Sequence, residues 1–500
     1  MSRRLPALLA ALGVLAVGGC GGDGSGGELG SGADLVPSEA AFFATVNTDF
    51  EGGQWLAAER LVMRFPAAQE ALGELRRHLE SDDLDFERDV KPAVGREVDI
   101  VVVDPAAEDD AVVLTQPKDE EKWRQAVTRG DDPGVTEELE DGWWVAAETQ
   151  QALDAFRSAR RDESLAEDDA FTDAIAELPE ERLATVYVSG EALTEELAAE
   201  GELAEDDRAA LRCLLGNERI PSLAFALAAE EDGAHVSGAV RVEEGEQPDE
   251  SASALVDKLP AGPLAVFSVN NVAEQARAFL RCGENANPDF SRQLGELETV
   301  LGLSVDEDVL PLFGGETVLA VYPAGEEGTA SEEGSPVASP LVTVATEVDD
   351  EDRARRVADQ IAALARLGDR VETEDVEIAG VRAKRVTTDD VELFYAVFDG
   401  LLVATTAEEG IARIREDGDR LADDERFGDA RAAAGAPDET TGFLYADATQ
   451  AIDLVFRFAE GVGDGLDGEV RGDLEPLRSV FLWGEVDGDV IGFEGFLRID

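Results

Sequence analysis

A chain of 500 residues with 111 acidic against 42 basic side chains carries a formal charge of −69. A field of that sign repels phosphates and other polyanions, which excludes nucleic-acid binding, and gathers cations only diffusely from dispersed, solvated carboxylates. At 44% apolar residues the chain still has material for sizeable cores, and its length fits two units of roughly 200–240 residues.

Residues 1–19 read as a signal peptide. Arg3 and Arg4 form a basic region, Leu5 to Val17 an apolar run too short to span a bilayer, and Gly18 and Gly19 lead to Cys20. This order resembles the lipobox of bacterial lipoproteins, which implies acylation of Cys20; an ordinary secretory signal is the alternative, and Ser2-Arg3-Arg4 also hints at twin-arginine export. Residues 20–34 are a Gly/Ser-rich tether with a root-mean-square reach of about 20 Å. The folded part is expected just outside the cytoplasmic membrane. Cys213 and Cys282 remain in an oxidising compartment, where an even pair is expected to bridge; two buried unpaired thiols are the alternative.

The first unit, residues 35–243, begins with Val36 and Pro37 and an apolar run from Ala41 to Asn47 that predicts a strand opened by the proline. A helical segment from Gln54 to Leu79, broken at Pro66, follows. The turn Val90-Lys91-Pro92-Ala93-Val94-Gly95-Arg96-Glu97 feeds strands Val98–Asp104 and Ala111–Thr115. Then come a helix with Trp123, Ala126 and Val127, a turn at Asp141-Gly142 before a buried strand, and a short helix around Leu153 and Phe156. The heptapeptide Leu165 to Phe171 precedes a strand over Ala184–Ser189, an acidic helical stretch and a closing hairpin turned by Asp232-Gly233.

Residues 244–258 are polar, contain Pro248 and read as a linker. The same series returns over 259–500. Leu259-Pro260 leads an apolar run to Asn270, Val309-Leu310-Pro311-Leu312-Phe313-Gly314-Gly315-Glu316 repeats the turn, and Leu421 to Phe427 repeats the heptapeptide. The second copy adds a low-complexity insertion at 325–340 and a strand pair, Val381–Val386 with Leu393–Phe398. It ends in a hairpin turned by Asp487-Gly488. The resulting class is α+β: two duplicated units, each a mainly antiparallel sheet layered with helices, related by a pseudo-two-fold axis through matching apolar patches.

Catalytic chemistry is sparse. His78 and His235 are the whole histidine supply and sit apart in sequence, so neither a triad nor a histidine metal cluster is expected; each reads as an exposed residue. No G-x-S-x-G elbow, P-loop or dinucleotide fingerprint occurs. No catalytic residue, metal ligand or cofactor is expected, although 111 acids leave a paired-carboxylate glycosidase open in principle. Asp464 to Glu469 reads as an acidic Gly-rich turn rather than a calcium loop. In the repeated heptapeptide, Leu165, Phe171, Leu421 and Phe427 are expected to pin a segment to the core, while Asp168 and Asp424 favour the start of the following helix by meeting its positive dipole end.

The Pro-to-Asn opening strand, the Val-x-Pro-x-x-Gly-x-Glu turn, the heptapeptide and the lipobox together resemble the domain-of-unknown-function family 3352, bacterial lipoproteins and membrane-anchored proteins. The resemblance spans most of residues 35–500 and implies the address and the duplicated layout, with no activity or cofactor attached. The expected function is a membrane-anchored, non-catalytic binding or scaffold protein of the cell envelope, engaging the membrane through its lipid and an envelope protein or ligand. A carboxylate-dependent hydrolase of envelope glycans, a carrier of a lipid-like ligand and a divalent-cation buffer are the alternatives.

Overall fold

Short β-branched and aromatic runs separated by turn residues favour antiparallel ladders, and the chain forms them repeatedly. The computed structural model describes residues 30–71, 73, 85–105, 111–129, 133–160, 163–199, 220–241, 249–286, 288–323, 340–365, 371–388, 391–462, 468–488 and 490–500. The first half contributes β1 (Phe42–Asn47), β2 (Glu97–Val102), β3 (Ala111–Thr115), β4 (Val135–Glu138), β5 (Trp144–Ala147), β6 (Ala184–Val188), β7 (Leu223–Ala229) and β8 (Gly233–Arg241). The second contributes β9 (Ala265–Val269), β10 (Thr317–Tyr322), β11 (Leu341–Glu347), β12 (Glu372–Ile378), β13 (Val381–Thr387), β14 (Glu392–Phe398), β15 (Leu401–Thr405), β16 (Gly442–Asp447), β17 (Leu477–Asp487) and β18 (Val490–Ile499).

Among the described residues these strands form one 18-stranded sheet in which every neighbouring pair is antiparallel. The halves meet at a seam between β8 and β18, paired from Arg241 opposite Val490 to Gly233 opposite Arg498. Sequence reasoning expected the halves to meet through apolar patches; backbone hydrogen bonding joins them instead. Outward from the seam, the first half runs β8, β7, β6, β1, β2, β3, β5, β4. The second runs β18, β17, β16, β9, β10, β11, β15, β14, with β13 and β12 added at the rim.

Helices cover one face of the sheet in both halves. Amphipathic α3 (Gln150–Ala159) and α4 (Asp169–Ala176) bury Leu153, Phe156 and Phe171 against Phe43, Val101, Leu114 and Tyr187. Helices α9 (Glu408–Arg415) and α10 (Glu425–Ala434) bury Ile411, Ile414 and Phe427 against Val318, Val403, Tyr445 and Phe481. The other face is covered in part. Trp55 and Leu61 of α1 (Gly53–Val62) and Trp123 of α2 (Glu120–Thr128) lie over Val98, Val113 and Ala146. Ala354 and Val357 of α8 (Glu351–Ala365) pack with Leu303, Leu312, Val348 and Val397. Helices α5 (Gly190–Ala199), α6 (Val272–Ala286), α7 (Pro288–Leu301), α11 (Ala448–Val462) and α12 (Gly468–Leu474) complete the set used here, and the break between α6 and α7 falls where Pro288 predicts it.

Three local expectations change. Pro37 and Pro260 do not open strands; each lies in a single bridge, to Ser164 and Arg420 respectively, ahead of β1 and β9. Gly233 is already in β8, and the absence of a Cβ there makes room for the Phe496 ring. Strands β4 and β12 were not foreseen, because VTEE and ETEDVEI are too acidic to read as strands; both lie at a rim of the sheet, where charged side chains are tolerated. At Asp399-Gly400 both residues take positive φ, +50° and +75°, as a two-residue hairpin requires.

Candidate functional site

The repeated motifs meet one another. The Leu165 N–H donates to the Val36 carbonyl at 2.7 Å and the Leu421 N–H to the Leu259 carbonyl at 2.9 Å, so each heptapeptide docks on the proline segment of its own half. Asp168 accepts from the Phe171 N–H at 2.9 Å and Asp424 from the Arg426 N–H at 2.9 Å, capping α4 and α10. Leu165, Leu421, Phe171 and Phe427 are all buried. Phe171 meets Tyr187 edge-on with ring centroids 5.0 Å apart, and Phe427 meets Tyr445 in the same way at 5.3 Å. In both copies the heptapeptide therefore acts as a cap and a core pin.

The glutamate of each repeated turn holds the segment that leads into its half. Glu97 accepts from the Gly30 N–H at 3.1 Å, Ser31 Oγ at 2.5 Å and the Gly32 N–H at 3.1 Å. Glu316 accepts from Ser253 Oγ, from Ser268 Oγ at 2.6 Å and from the Leu255 N–H at 2.8 Å. Two residues beyond Glu97, Asp99 is fully buried, and the Thr45 hydroxyl across the strand pair is its one hydrogen-bonding neighbour among the described residues. Burial first, and the Glu97 charge second, push its carboxyl well above the usual carboxylate range. These two acids are neighbouring buried carboxyl groups, one of them shifted upward, the features by which a hydrolase pair would be sought. They lie beneath the segment around Gly32, where even a Cβ would fall 1.8 Å from Asp99 Oδ2, so they are packed in rather than presented in a cleft.

The seam carries a polar cluster. His235 Nε2 lies 2.7 Å from Glu494 Oε2, Ser237 Oγ donates to the same oxygen at 2.7 Å, and His235 Nδ1 is 3.6 Å from Glu230 Oε1. Serine and histidine both address one carboxylate, and Ser237 donates to it rather than to the imidazole. No relay activates the hydroxyl. The Glu494 hydrogen bond holds the His235 imidazole above its ordinary range against the opposing effect of burial. The expectation of an exposed histidine is corrected: His235 is half-buried and paired, because the seam brings β18 against its strand.

The second sheet face has a long uncovered stretch. Following the register strand by strand, one row reads Val344, Leu319, Phe267, Leu444, Leu482, Gly495, Val236 and Leu227, crossing from β11 through the seam to β7. Phe267 is 48% exposed, Leu319 41% and Leu227 36%; Val344, Leu444, Leu482 and Val236 are half-buried. At strand spacing this row runs about 33 Å. Phe493, 37% exposed, lies beside it, its ring 5.9 Å from that of Phe225 across Gly238. An antiparallel sheet with one solvated face ordinarily alternates apolar and polar residues; here both faces are apolar in the middle. The signal was present in the apolar runs AVFSV of β9 and TVLAVY of β10, which read simply as strands.

The remaining expected residues divide. Cys282, on α6, is buried. Cys20, Cys213, His78, all of the 325–340 insertion but its last residue, and residues 463–467 lie outside the described residues. Among the described residues no group of three or more His, Cys, Asp or Glu could hold a metal ion, and no helix is long and apolar enough to cross a membrane.

The model of a protein family of unknown function, DUF3352, matches residues 6–156 and 129–462. The chain belongs to the DUF3352 family. Comparison with curated protein sequences gives no match for this DUF3352 chain. Among solved structures, crystal form III of TP0453 is similar at a TM-score of 0.22 and 10% identity, covering 45% of the DUF3352 chain and 82% of TP0453. Crystal form IV of TP0453 is similar at a TM-score of 0.23 and 9% identity, covering 50% and 94%. At these scores the likeness carries no argument about function.

Proposed function

We propose that the protein is a lipid-anchored, non-catalytic binding protein on the outer side of the cytoplasmic membrane, and that its uncovered sheet face takes an acyl chain or other lipid-like ligand. The observation that carries this reading is the register row that includes Phe267 and Leu319, a directly opposed cross-strand pair of large apolar side chains left 48% and 41% exposed. A contiguous exposed apolar band of this kind marks a binding surface, and its elongated shape suits an extended hydrocarbon better than a compact ligand. The signal-like N-terminus with Cys20 supports the address. The mirrored strand order about the seam, the paired heptapeptide docks and the paired turn glutamates support two copies of one unit about a pseudo-two-fold axis.

Titration with a fluorescent fatty acid tests the reading. Saturable binding is expected, and Phe267→Asp with Leu319→Asp should weaken it about 100-fold, since burying each side chain contributes roughly 1.5 kcal/mol. Unchanged binding in the double variant would refute it. Crosslinking in native membranes that captured a protein at Phe267 would favour a protein partner instead, and cleavage of a glycan panel by the purified chain would restore the hydrolase.

The bridge between Cys213 and Cys282 belongs to the same proposal. Mass measurement of the mature chain under non-reducing, alkylating conditions should find neither cysteine alkylated and the N-terminal Cys20 acylated.

A further inference from the structure

The seam has two couplings on the same pair of strands, one on each face. On the helix-covered face, His235 and Ser237 of β8 hold Glu494 of β18. On the uncovered face, Phe493 of β18 lies over Gly238 of β8, where a Cβ would stand 2.2 Å from the ring, and reaches Phe225 of β7. Ser237 and Gly238 are chain neighbours, as are Phe493 and Glu494. Successive strand residues point to opposite faces, so a shift that relaxes one coupling displaces the other.

We infer that loss of the proton on His235 loosens the pairing of β8 with β18 and, through Gly238 and Phe493, weakens ligand binding on the opposite face; this rests on the acyl-binding reading above. His235 is met by Glu494 from β18 and by Glu230 from the turn before β8, with the Trp483 ring of β17 and the Phe496 ring of β18 at its edges. Farther along β17, Glu485 stands opposite Gly492, its carboxyl raised by burial and by the Glu494 charge. The guanidinium groups on these two strands are engaged elsewhere, Arg498 with Asp429 of α10 and Arg241 with Asp173 of α4 and Glu177 just after it. Imidazolium is thus the cation that balances Glu494 and Glu230. Its folded-state affinity for the proton exceeds the unfolded one, so its contribution to the seam is complete below the unfolded pKa of about 6.5 and is lost as pH rises through the higher folded value.

Amide exchange of β8 and β18, and titration with the fluorescent fatty acid, at pH 5.5 and 8.5 test this on the mature chain and on His235→Gln and Glu494→Gln. Protection of the seam, corrected for intrinsic exchange, should fall with rising pH, and probe binding should weaken about fivefold. His235→Gln should flatten both dependences, while Glu494→Gln should move them to lower pH. Seam protection that is constant with pH, or a pH dependence that persists in His235→Gln, would overturn the inference. Probe binding absent at every pH would instead overturn the underlying binding reading, and the exchange data would still decide whether the seam answers to His235.

Discussion

Replacing Asp99 with valine is expected to stabilise the protein by about 2 kcal/mol at neutral pH, the cost of burying a carboxyl whose hydrogen bonding is incomplete. Asp99 is fully buried, opposite Leu114 on one side and Thr45 on the other, and the Thr45 hydroxyl is its one hydrogen-bonding neighbour among the described residues. The second half supplies a precedent: Asp99 pairs with Thr45 across β1 and β2, and Val318 occupies the matching place opposite Ser268 across β9 and β10. The gain must depend on pH in a defined direction. Because the folded carboxyl holds its proton more tightly than the unfolded one, the wild-type chain is penalised increasingly as pH rises above the unfolded value of about 3.9. The variant's advantage should therefore be small near pH 4 and grow toward pH 7. Denaturant midpoints at the two pH values measure it, and a loss of stability at pH 7 would show that the Thr45 contact outweighs the cost of burial.

Replacing Glu316 with leucine is expected to have the opposite sign, costing about 3 kcal/mol. This carboxylate is as buried as an apolar core residue but receives two serine hydroxyls and one backbone N–H. Removing the acceptor leaves those donors buried and unsatisfied, each at roughly 1 kcal/mol. Glu97→Leu should cost less, about 1 kcal/mol, since of its three donors only the Gly32 N–H is buried, Ser31 being exposed and Gly30 half-buried. Two carboxylates two residues apart on β2 are thus expected to act in opposite directions, because one is fully hydrogen-bonded and the other is not. Urea unfolding of both leucine variants supplies the comparison, and a neutral result for either would mean that water replaces the lost acceptor.

What the chain revealed in advance depended on the range of the interaction. Caps, hairpins and amphipathic faces are set by residues a few positions apart, so the role of Asp168 and Asp424 at their helices, the break at Pro288 and the strands running to Asn47 and Ile499 were legible. The antiparallel, helix-layered character followed from these. The seam was not legible, because His235 meets Glu494 across 259 positions and neither residue stands out alone. The partners of Glu97 lie 65 to 67 positions upstream, so its part in the repeated turn could be noticed but not explained. The candidate face was hidden for another reason. Apolar composition marks a strand as fit to be covered, and only the exposure of Phe267, Leu319 and Leu227 shows that this stretch is not.

An open sheet also has two margins, and both are written in acid. A second molecule approaching β12 edge to edge would bring Glu372, Glu374, Asp375 and Glu377 against a copy of themselves, and at β4 the same holds for Glu137 and Glu138. Molecules crowded together are thereby kept from zipping into ribbons, and the ladder stops within one chain.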